Sequence, residues 1–286
     1  MAVSLAGTEG VGPRGQDLEE LELELLLEAI YRRYGFDFRG YATASLRRRV
    51  WRRTHLESLT TITALHERVL HDEAVLDRLL KDLSINVTEM FRDPSFHLAL
   101  RERAFPLLRT YPFLRIWNAG CSTGEEAYSL AIALHETGLL ERARIYATDM
   151  NESALAQARG GAFALERMQG YTVNYQRAGG ERSFSEYYAA RGGAAFFDPE
   201  LARNIVFAQH NLATDRSFNE FHLIVCRNVM IYFGRELQRH VHELFLDSLA
   251  PLGLLALGRK EAIAPAEIAA RYEALDAVEK LFRRSG

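Results

Sequence analysis

From Leu18 the chain places apolar residues at helical spacing. Leu21, Leu23, Leu25, Leu26, Leu27 and Ile30 sit among glutamates and predict a helix ending near Gly35. Further amphipathic segments follow short connectors at Gly40 and at Ser58–Thr61, and the last runs from Glu73 to Leu83. Residues 18–85 therefore predict a small all-helical domain. Residues 1–17 hold four glycines and a proline without periodicity and predict a flexible tail. Past Ser84 the pattern breaks. Asn86 and Thr88 favour hydrogen bonds to local backbone over a helix interior. Pro94 restricts Asp93 and suits the start of a helix over Ser95–Leu108. This polar boundary reads either as a capped linker or as one edge of a ligand site.

After residue 112 the period shortens. Phe113–Trp117 predicts a strand, Asn118–Gly124 a glycine loop, and Glu125 opens an amphipathic helix carrying Tyr128, Leu130, Ile132 and Leu134. Arg142–Thr148 predicts a second strand ending at Asp149, followed by a capped helix over Asn151–Arg159. The Tyr-, Phe- and Gly-rich stretch within about 168–205 predicts a small antiparallel insertion with a turn near Gly192. Arg203–Gln209, Phe221–Cys226 and Leu252–Gly258 predict strands, a helix starts near Met230, and Ala277–Arg283 closes the sheet. Strands alternating with helices over 86–286 indicate an open α/β sheet, whose ligand belongs at the carboxyl ends of the strands. Gly124, Asp149, Asn211 and Asn228 all fall on such ends.

Composition narrows the class. The 286 residues suffice for one large α/β domain and a small one, and the 48% hydrophobic and 26% charged content is that of a globular protein. A net charge of −3 argues against a general nucleic-acid coat. Cys121 and Cys226 are the only cysteines, which excludes a disulfide framework and fits a reducing cytoplasm. No apolar run approaches the roughly 18 residues that span a bilayer, and the acidic N-terminal region makes a poor signal peptide. The histidines show no metal-ligand spacing, and the expectation is a metal-free site.

Two local features carry chemistry. Glu125 and Glu126 in the first turn after the glycine loop suit the helix dipole but would repel a phosphate. They suit a ligand with an ammonium group or free hydroxyls, which points to S-adenosyl-L-methionine. Asp149, at the tip of the next strand, stands where a carboxylate accepts from both ribose hydroxyls. The second feature is Leu46–Arg53, reading LRRRVWRR. Helical spacing stacks Arg48 over Arg52 and Arg49 over Arg53, giving a dense positive face that is either solvated or a docking surface for an acidic helix or phosphates.

With AGCSTGEEAYSLAI, YATDMN, HNL and CRNVMIYF in place, the chain resembles the CheR family of chemotaxis-receptor methyltransferases over about residues 18–284. The resemblance implies a class I S-adenosylmethionine-dependent methyltransferase domain of Rossmann-like α/β fold, with a small antiparallel β insertion and a preceding helical domain. It implies transfer of methyl to glutamate side chains on the helical cytoplasmic region of chemoreceptors, leaving S-adenosyl-L-homocysteine. Asn86, Thr88 and Arg92 would form the linker side of the cofactor site, and Gly120 the loop. Glu126, ahead of Glu125, would hold the methionine ammonium. Asp149 would hold the ribose, Asn211 and Leu212 the adenine, and Arg227 and Asn228 the floor beneath the methyl. Arg92 and Tyr232 match the family residues nearest the reacting methyl and are the catalytic candidates. Arg48, Arg49, Arg52 and Arg53 then gain a role in steering a glutamate-rich receptor helix.

The chain departs from the family twice. Many relatives read LGHSE where this chain has Leu257–Glu261 (LGRKE), so a local polar contact is expected to be lost. The hairpin tip Arg191–Ala195 is short, which argues against tethering to a receptor's C-terminal pentapeptide. A monomer is expected. The alternatives are an S-adenosylmethionine-binding scaffold without turnover, a methyltransferase for another receptor-like protein, and a nucleic-acid methyltransferase. The last is disfavoured by the overall charge.

Overall fold

A computed structural model describes residues 13–84 and 88–286, and the chain divides into two compact units after Ser84. The first unit is helical: α1 (Pro13–Tyr34), α2 (Thr43–Leu56), α3 (Ile62–His71) and α4 (Glu73–Leu83). Helix α1 begins at Pro13, inside the segment expected to be a flexible tail. Proline's fixed φ and missing N–H suit the first helical position. Gly35 at φ +80° ends that helix, its N–H bonded to Tyr31 O at 2.9 Å. Thr61 and Asp72 cap α3 and α4 by accepting from Ala64 N and Ala74 N. The core joins Leu26, Ile30, Leu46, Val50, Leu65, Val69, Leu79 and Leu83, all buried. Each such side chain contributes about 1.5–3 kcal/mol of burial.

The second unit is built on a seven-stranded sheet. Its helices are α5 (Pro94–Ala99), α6 (Phe105–Leu108), α7 (Glu125–Glu136), α8 (Glu152–Gly160), α9 (Met168–Arg177), α10 (Pro199–Ala202), α11 (Arg235–Ser248) and α12 (Ala266–Ala269). Its strands are β1 (Leu114–Ala119), β2 (Ala143–Asp149), β3 (Ala162–Ala164), β4 (Tyr188–Arg191), β5 (Ala194–Phe197), β6 (Ile205–Gln209), β7 (Phe221–Cys226), β8 (Leu249–Leu257), β9 (Tyr272–Asp276) and β10 (Leu281–Arg284). The main sheet runs β6-β2-β1-β7-β8-β10-β9, parallel from β6 through β8, with β10 antiparallel to both its neighbours. Sequence reading expected one strand, Ala277–Arg283, after Leu252–Gly258; two follow β8.

The insertion begins earlier than expected and is part helical. β3 precedes α9, and the small sheet runs β3-β5-β4 with a two-residue turn at Gly192–Gly193, both at positive φ. This sheet explains a second difference. Helix α7 is buried nearly all round, from Ala127 to Leu134, where an amphipathic helix was expected. Tyr128 packs on Phe163 and Phe197 of the small sheet with ring centroids 5.6 Å apart, so the outer side of α7 is covered as well. The helix expected over Ser95–Leu108 is interrupted by a π-helical turn at Leu100–Ala104.

Candidate functional site

The carboxyl ends of β6, β2, β1 and β7 lie side by side, and the strand order reverses between β1 and β7, where an open α/β sheet leaves a crevice. After β1, Gly120 and Cys121 donate their N–H groups to Thr148 O at 2.7 and 2.9 Å. Gly120 has φ +76°, and a Cβ there would collide with the Val229 side chain beyond β7. Glycine is what lets the two strand ends touch. Gly124, at φ +95°, starts α7.

Asp149 ends β2 with both carboxylate oxygens placed. Oδ2 accepts from Ser122 N and Oδ1 from Asn151 N, each at 2.9 Å. Burial raises its pKa above the ordinary carboxylate value, against the opposing pull of these hydrogen bonds. Its carbonyl accepts from His210 N at 3.1 Å, which brings the half-buried Asn211 and the buried Leu212 alongside. Asn211 Oδ1 accepts from Ala213 N at 3.0 Å and holds that turn.

The paired glutamates separate sharply. Glu125 is fully enclosed. It accepts from Thr123 Oγ1 at 2.5 Å, Arg167 Nη1 at 2.9 Å and the Tyr171 hydroxyl at 3.2 Å. Glu126 keeps 14% of its side chain exposed, accepting from Asn118 Nδ2 at 2.8 Å and Arg227 Nη1 at 3.1 Å. Of the two, Glu126 retains surface to offer a ligand.

Arg227 is the tie among three chain segments. Its side chain is 1% exposed, lies 3.9 Å from the Phe96 ring centre, and pairs with Asp93 at 2.6 Å as well as with Glu126. It also reaches the Arg92 carbonyl at 3.4 Å. The linker is anchored elsewhere too: Phe91 N donates to Ser129 Oγ at 2.9 Å, Asn174 to Met90 O at 3.1 Å, and Arg167 to Thr88 O. Arg92 is half-buried on this linker, as is Thr88; Asn86 lies outside the described residues. Tyr232, half-buried, ends a 3₁₀ turn over Met230–Tyr232 that follows Asn228.

Backbone strain marks the same place. Among the described residues, the non-glycine positions in the left-handed region are Ser58, Phe91, Asp93, Ser122, Asn228, Leu252 and Lys280. Phe91, Asp93, Ser122 and Asn228 belong to the linker, the glycine loop and the β7 turn. Each costs on the order of 1–3 kcal/mol, and such residues cluster where function over-determines the backbone.

The helical unit corrects the expectation for the arginines. Arg49 is buried and donates to Leu83 O at 2.7 Å and Ser45 Oγ at 2.9 Å. Arg53 is held between Asp82 at 2.6 Å and Glu57 at 3.1 Å. The four do not form one free face, because Arg49 and Arg53 turn into their own bundle. Arg48 and Arg52 stay exposed, with Arg52 pairing to Asp82 at 3.2 Å.

Sequence reading missed Asp93, Asn118 and Glu261. Asp93 was read only as the residue that Pro94 restricts, although aspartate's tolerance of the left-handed region was an available signal. Asn118 was legible only as part of the loop. Glu261 takes backbone N–H groups of the β7 turn, in the segment where a polar contact was expected to be lost. Arg259 there donates to Ser95 Oγ at 2.7 Å, so that departure from the family brings a contact of its own.

This strand order, with a glycine loop, an acid at the tip of β2 and an open carboxylate at the start of α7, defines a class I S-adenosylmethionine-dependent methyltransferase. The family model described as CheR methyltransferase, SAM binding domain, matches residues 86–277, and that described as CheR methyltransferase, all-alpha domain, matches residues 21–84. The chain belongs to the CheR methyltransferase family. It is 48% identical over 266 residues to a Pseudomonas putida protein named "Putative methyltransferase Cher3", covering 93% of this chain and 97% of that one. It is 30% identical to a Listeria innocua chemotaxis protein methyltransferase, covering 86% and 92%. Among solved structures, N-methyltransferase NodS of Bradyrhizobium japonicum, in complex with S-adenosyl-L-homocysteine, aligns at 17% identity and a TM-score of 0.37, covering 70% and 90%, a likeness too loose to argue from.

The cofactor is S-adenosylmethionine, and the donor set suits it. Glu126 in the first turn of α7 and Asp149 at the end of β2 supply carboxylates, and the Asn118 Oδ1 acceptor beside Glu126 is buried without a hydrogen-bond partner among the described residues. A cation fits such an acceptor-rich end. Among the described residues no helix is long and apolar enough to cross a membrane.

Proposed function

We propose that this chemotaxis methyltransferase methylates glutamate side chains on the helical cytoplasmic region of chemoreceptors, with Arg92 and Tyr232 at the reacting end of the site. The observation that carries the reading is that the buried Arg227, from which the turn to Tyr232 departs, is bonded to the linker bearing Arg92 through Arg92 O and Asp93. The names of the Listeria and Salmonella relatives, chemotaxis protein methyltransferase, support the receptor as substrate.

When bound, S-adenosylmethionine supplies a methyl already activated on a sulfonium. A glutamate carboxylate is ionised at pH 7, so the chain has no general base to provide. Its residues must bind, orient and exclude water. Glu126 holds the ammonium, Asp149 accepts from the ribose hydroxyls, and Asn211 with Leu212 borders the adenine. Thr88, Gly120 and Asn228 close the walls. Arg92 orients the incoming carboxylate through paired N–H donors, and Tyr232 adds a hydrogen bond. Tight neutralisation by Arg92 would blunt the nucleophile, so orientation is its main work. The exposed Arg48 and Arg52 steer the acidic receptor helix.

Peptide mapping by mass spectrometry after incubation with a receptor cytoplasmic fragment tests this. Methyl on glutamate carboxyls is the expected result. Methyl confined to lysine or arginine nitrogens would overturn it.

A further inference from the structure

The segment after β8 grips both halves of the reacting end. The Glu261 side chain is enclosed, the residue being 5% exposed, and every acceptor position of its carboxylate is used. Oε2 accepts from Gly258 N at 2.6 Å and Asn228 N at 3.1 Å; Oε1 accepts from Val229 N at 3.0 Å and Met230 N at 2.8 Å. No ion pair joins it among the described residues. Three successive backbone N–H groups therefore turn toward one anion, an arrangement that the left-handed Asn228 (φ 61°) makes possible.

That nest fixes the start of the 3₁₀ turn. Within the turn Tyr232 N bonds Val229 O at 3.3 Å and Phe233 N bonds Met230 O at 3.0 Å, so Tyr232 hangs on backbone that Glu261 holds. Gly258 is matched to the same anion. A Cβ there would lie 2.7 Å from Glu261 Oε2 and 2.9 Å from Asn228 N. Two residues before Glu261, Arg259 Nη2 donates to Ser95 Oγ at 2.7 Å, while its Nε binds Glu279 at 3.1 Å. Ser95 stands in the first turn of α5, which begins at Pro94 directly after Arg92 and Asp93. One tetrapeptide is thus bonded to the turn carrying Tyr232 and to the helix adjoining Arg92.

We propose that Glu261 is a positioning residue for methyl transfer, acting through the β7 turn on Asn228 and Tyr232, with Arg259 bracing the linker helix from the same segment. This rests on the reading of Tyr232 given above. Enclosed and with its acceptor positions taken by backbone N–H groups, Glu261 has no free acceptor to offer a ligand. Its effect passes through backbone, which separates it from a residue that merely stabilises the fold.

The test is a double-mutant cycle of Glu261→Gln and Tyr232→Phe in the full chain, reading kcat on receptor substrate, with thermal unfolding to confirm that each variant is folded. Glutamine keeps the volume but turns an NH₂ donor toward N–H donors. Glu261→Gln alone is expected to lower kcat at least about tenfold, and less than about twofold in the Tyr232→Phe background. Equal losses in both backgrounds overturn the proposal. If Tyr232→Phe alone leaves kcat unchanged, it is the assignment of Tyr232 that fails. The same cycle with Asn228→Ala, read as cofactor Kd, then decides for Glu261: non-additivity upholds it and additivity overturns it. Should Glu261→Gln not fold, Gly258→Ala crowds the same carboxylate without changing its charge. It is expected to reproduce the kcat loss, and an unaltered kcat overturns the proposal.

Discussion

The helical unit and the strand-end site use the same ionic groups to opposite effect. In the helical unit Glu57 is clamped by Arg78 and Arg53, and the Arg78 hydrogen bonds pull its pKa down to about 2. At the end of β2, burial pushes the pKa of Asp149 up. Arg49 is buried with hydrogen bonds to Leu83 O and Ser45 Oγ on regular helices, whereas Arg227 is buried between two carboxylates and flanked by strained backbone. A buried charge alone does not mark a site. What marks this one is the concurrence of uncompensated desolvation, left-handed backbone and several chain segments meeting at one point.

The largest expected difference lies between those two arginines. Arg227→Met leaves Asp93 and Glu126 without their cation, which costs on the order of 3–5 kcal/mol. Arg49→Met removes the hydrogen bonds to Leu83 O and Ser45 Oγ and costs about 1.5–3 kcal/mol. Urea unfolding of both variants checks this, and equal losses would erase the distinction. Next in size, Arg92→Ala is expected to lower turnover about 100-fold or more. Cofactor Kd should move by less than about threefold, since Arg92's main work is on the nucleophile. Stopped-flow turnover beside calorimetry separates the two, and equal losses would make Arg92 a cofactor ligand only.

Asp149 gives the pH test. Its folded pKa is raised, so folding disfavours the charged form, and that cost is relieved as pH falls through the folded value. Accepting from ribose hydroxyls needs the charged form. Cofactor affinity should therefore weaken as pH drops through a value above the ordinary aspartate range. Glu261 shifts the same way, so the comparison that isolates Asp149 is wild type against Asp149→Asn. The variant should bind about 10- to 100-fold more weakly at neutral pH and lose the Asp149 step from its acid profile. Glu57 has the opposite sign: its lowered pKa stabilises the helical unit above about 4.5, a contribution lost as pH falls toward about 2. The smallest effect is expected from charge reversal at Arg48 and Arg52 together. Receptor KM should rise a few-fold, on the order expected for exposed charges, with cofactor Kd untouched. An unchanged KM would return both residues to solvated surface.

Much of the strand-end site was legible because its signals are local. The glycines needed at positive φ, the acid closing a strand and the polar break ahead of Pro94 are each written within a few residues. Glu261 was not legible, because its partners lie some thirty positions away at Asn228, Val229 and Met230, and no periodicity announces a side chain that binds distant backbone. The arginine helix was misread for a different reason. Leu46, Arg49, Val50 and Thr54 share one face by helical spacing, the face the bundle buries, and the half-buried Arg53 lies at its edge. Reading the apolar stripe before the charges would have placed Arg49 inside and Arg53 beside it. The all-round burial of α7 was hidden likewise, since the small sheet that covers its second side lies later in the chain.

The most direct measurement of the central claim is transfer of labelled methyl from S-adenosylmethionine to intact chemoreceptors, followed by alkaline treatment and collection of volatile methanol. Glutamyl methyl esters predict label on the receptor band that alkali releases as methanol, and that accumulates about 100-fold more slowly when Arg92→Ala replaces the wild type at equal cofactor occupancy. Alkali-stable label, or a receptor left unlabelled by an enzyme shown by calorimetry to bind the cofactor, would contradict it.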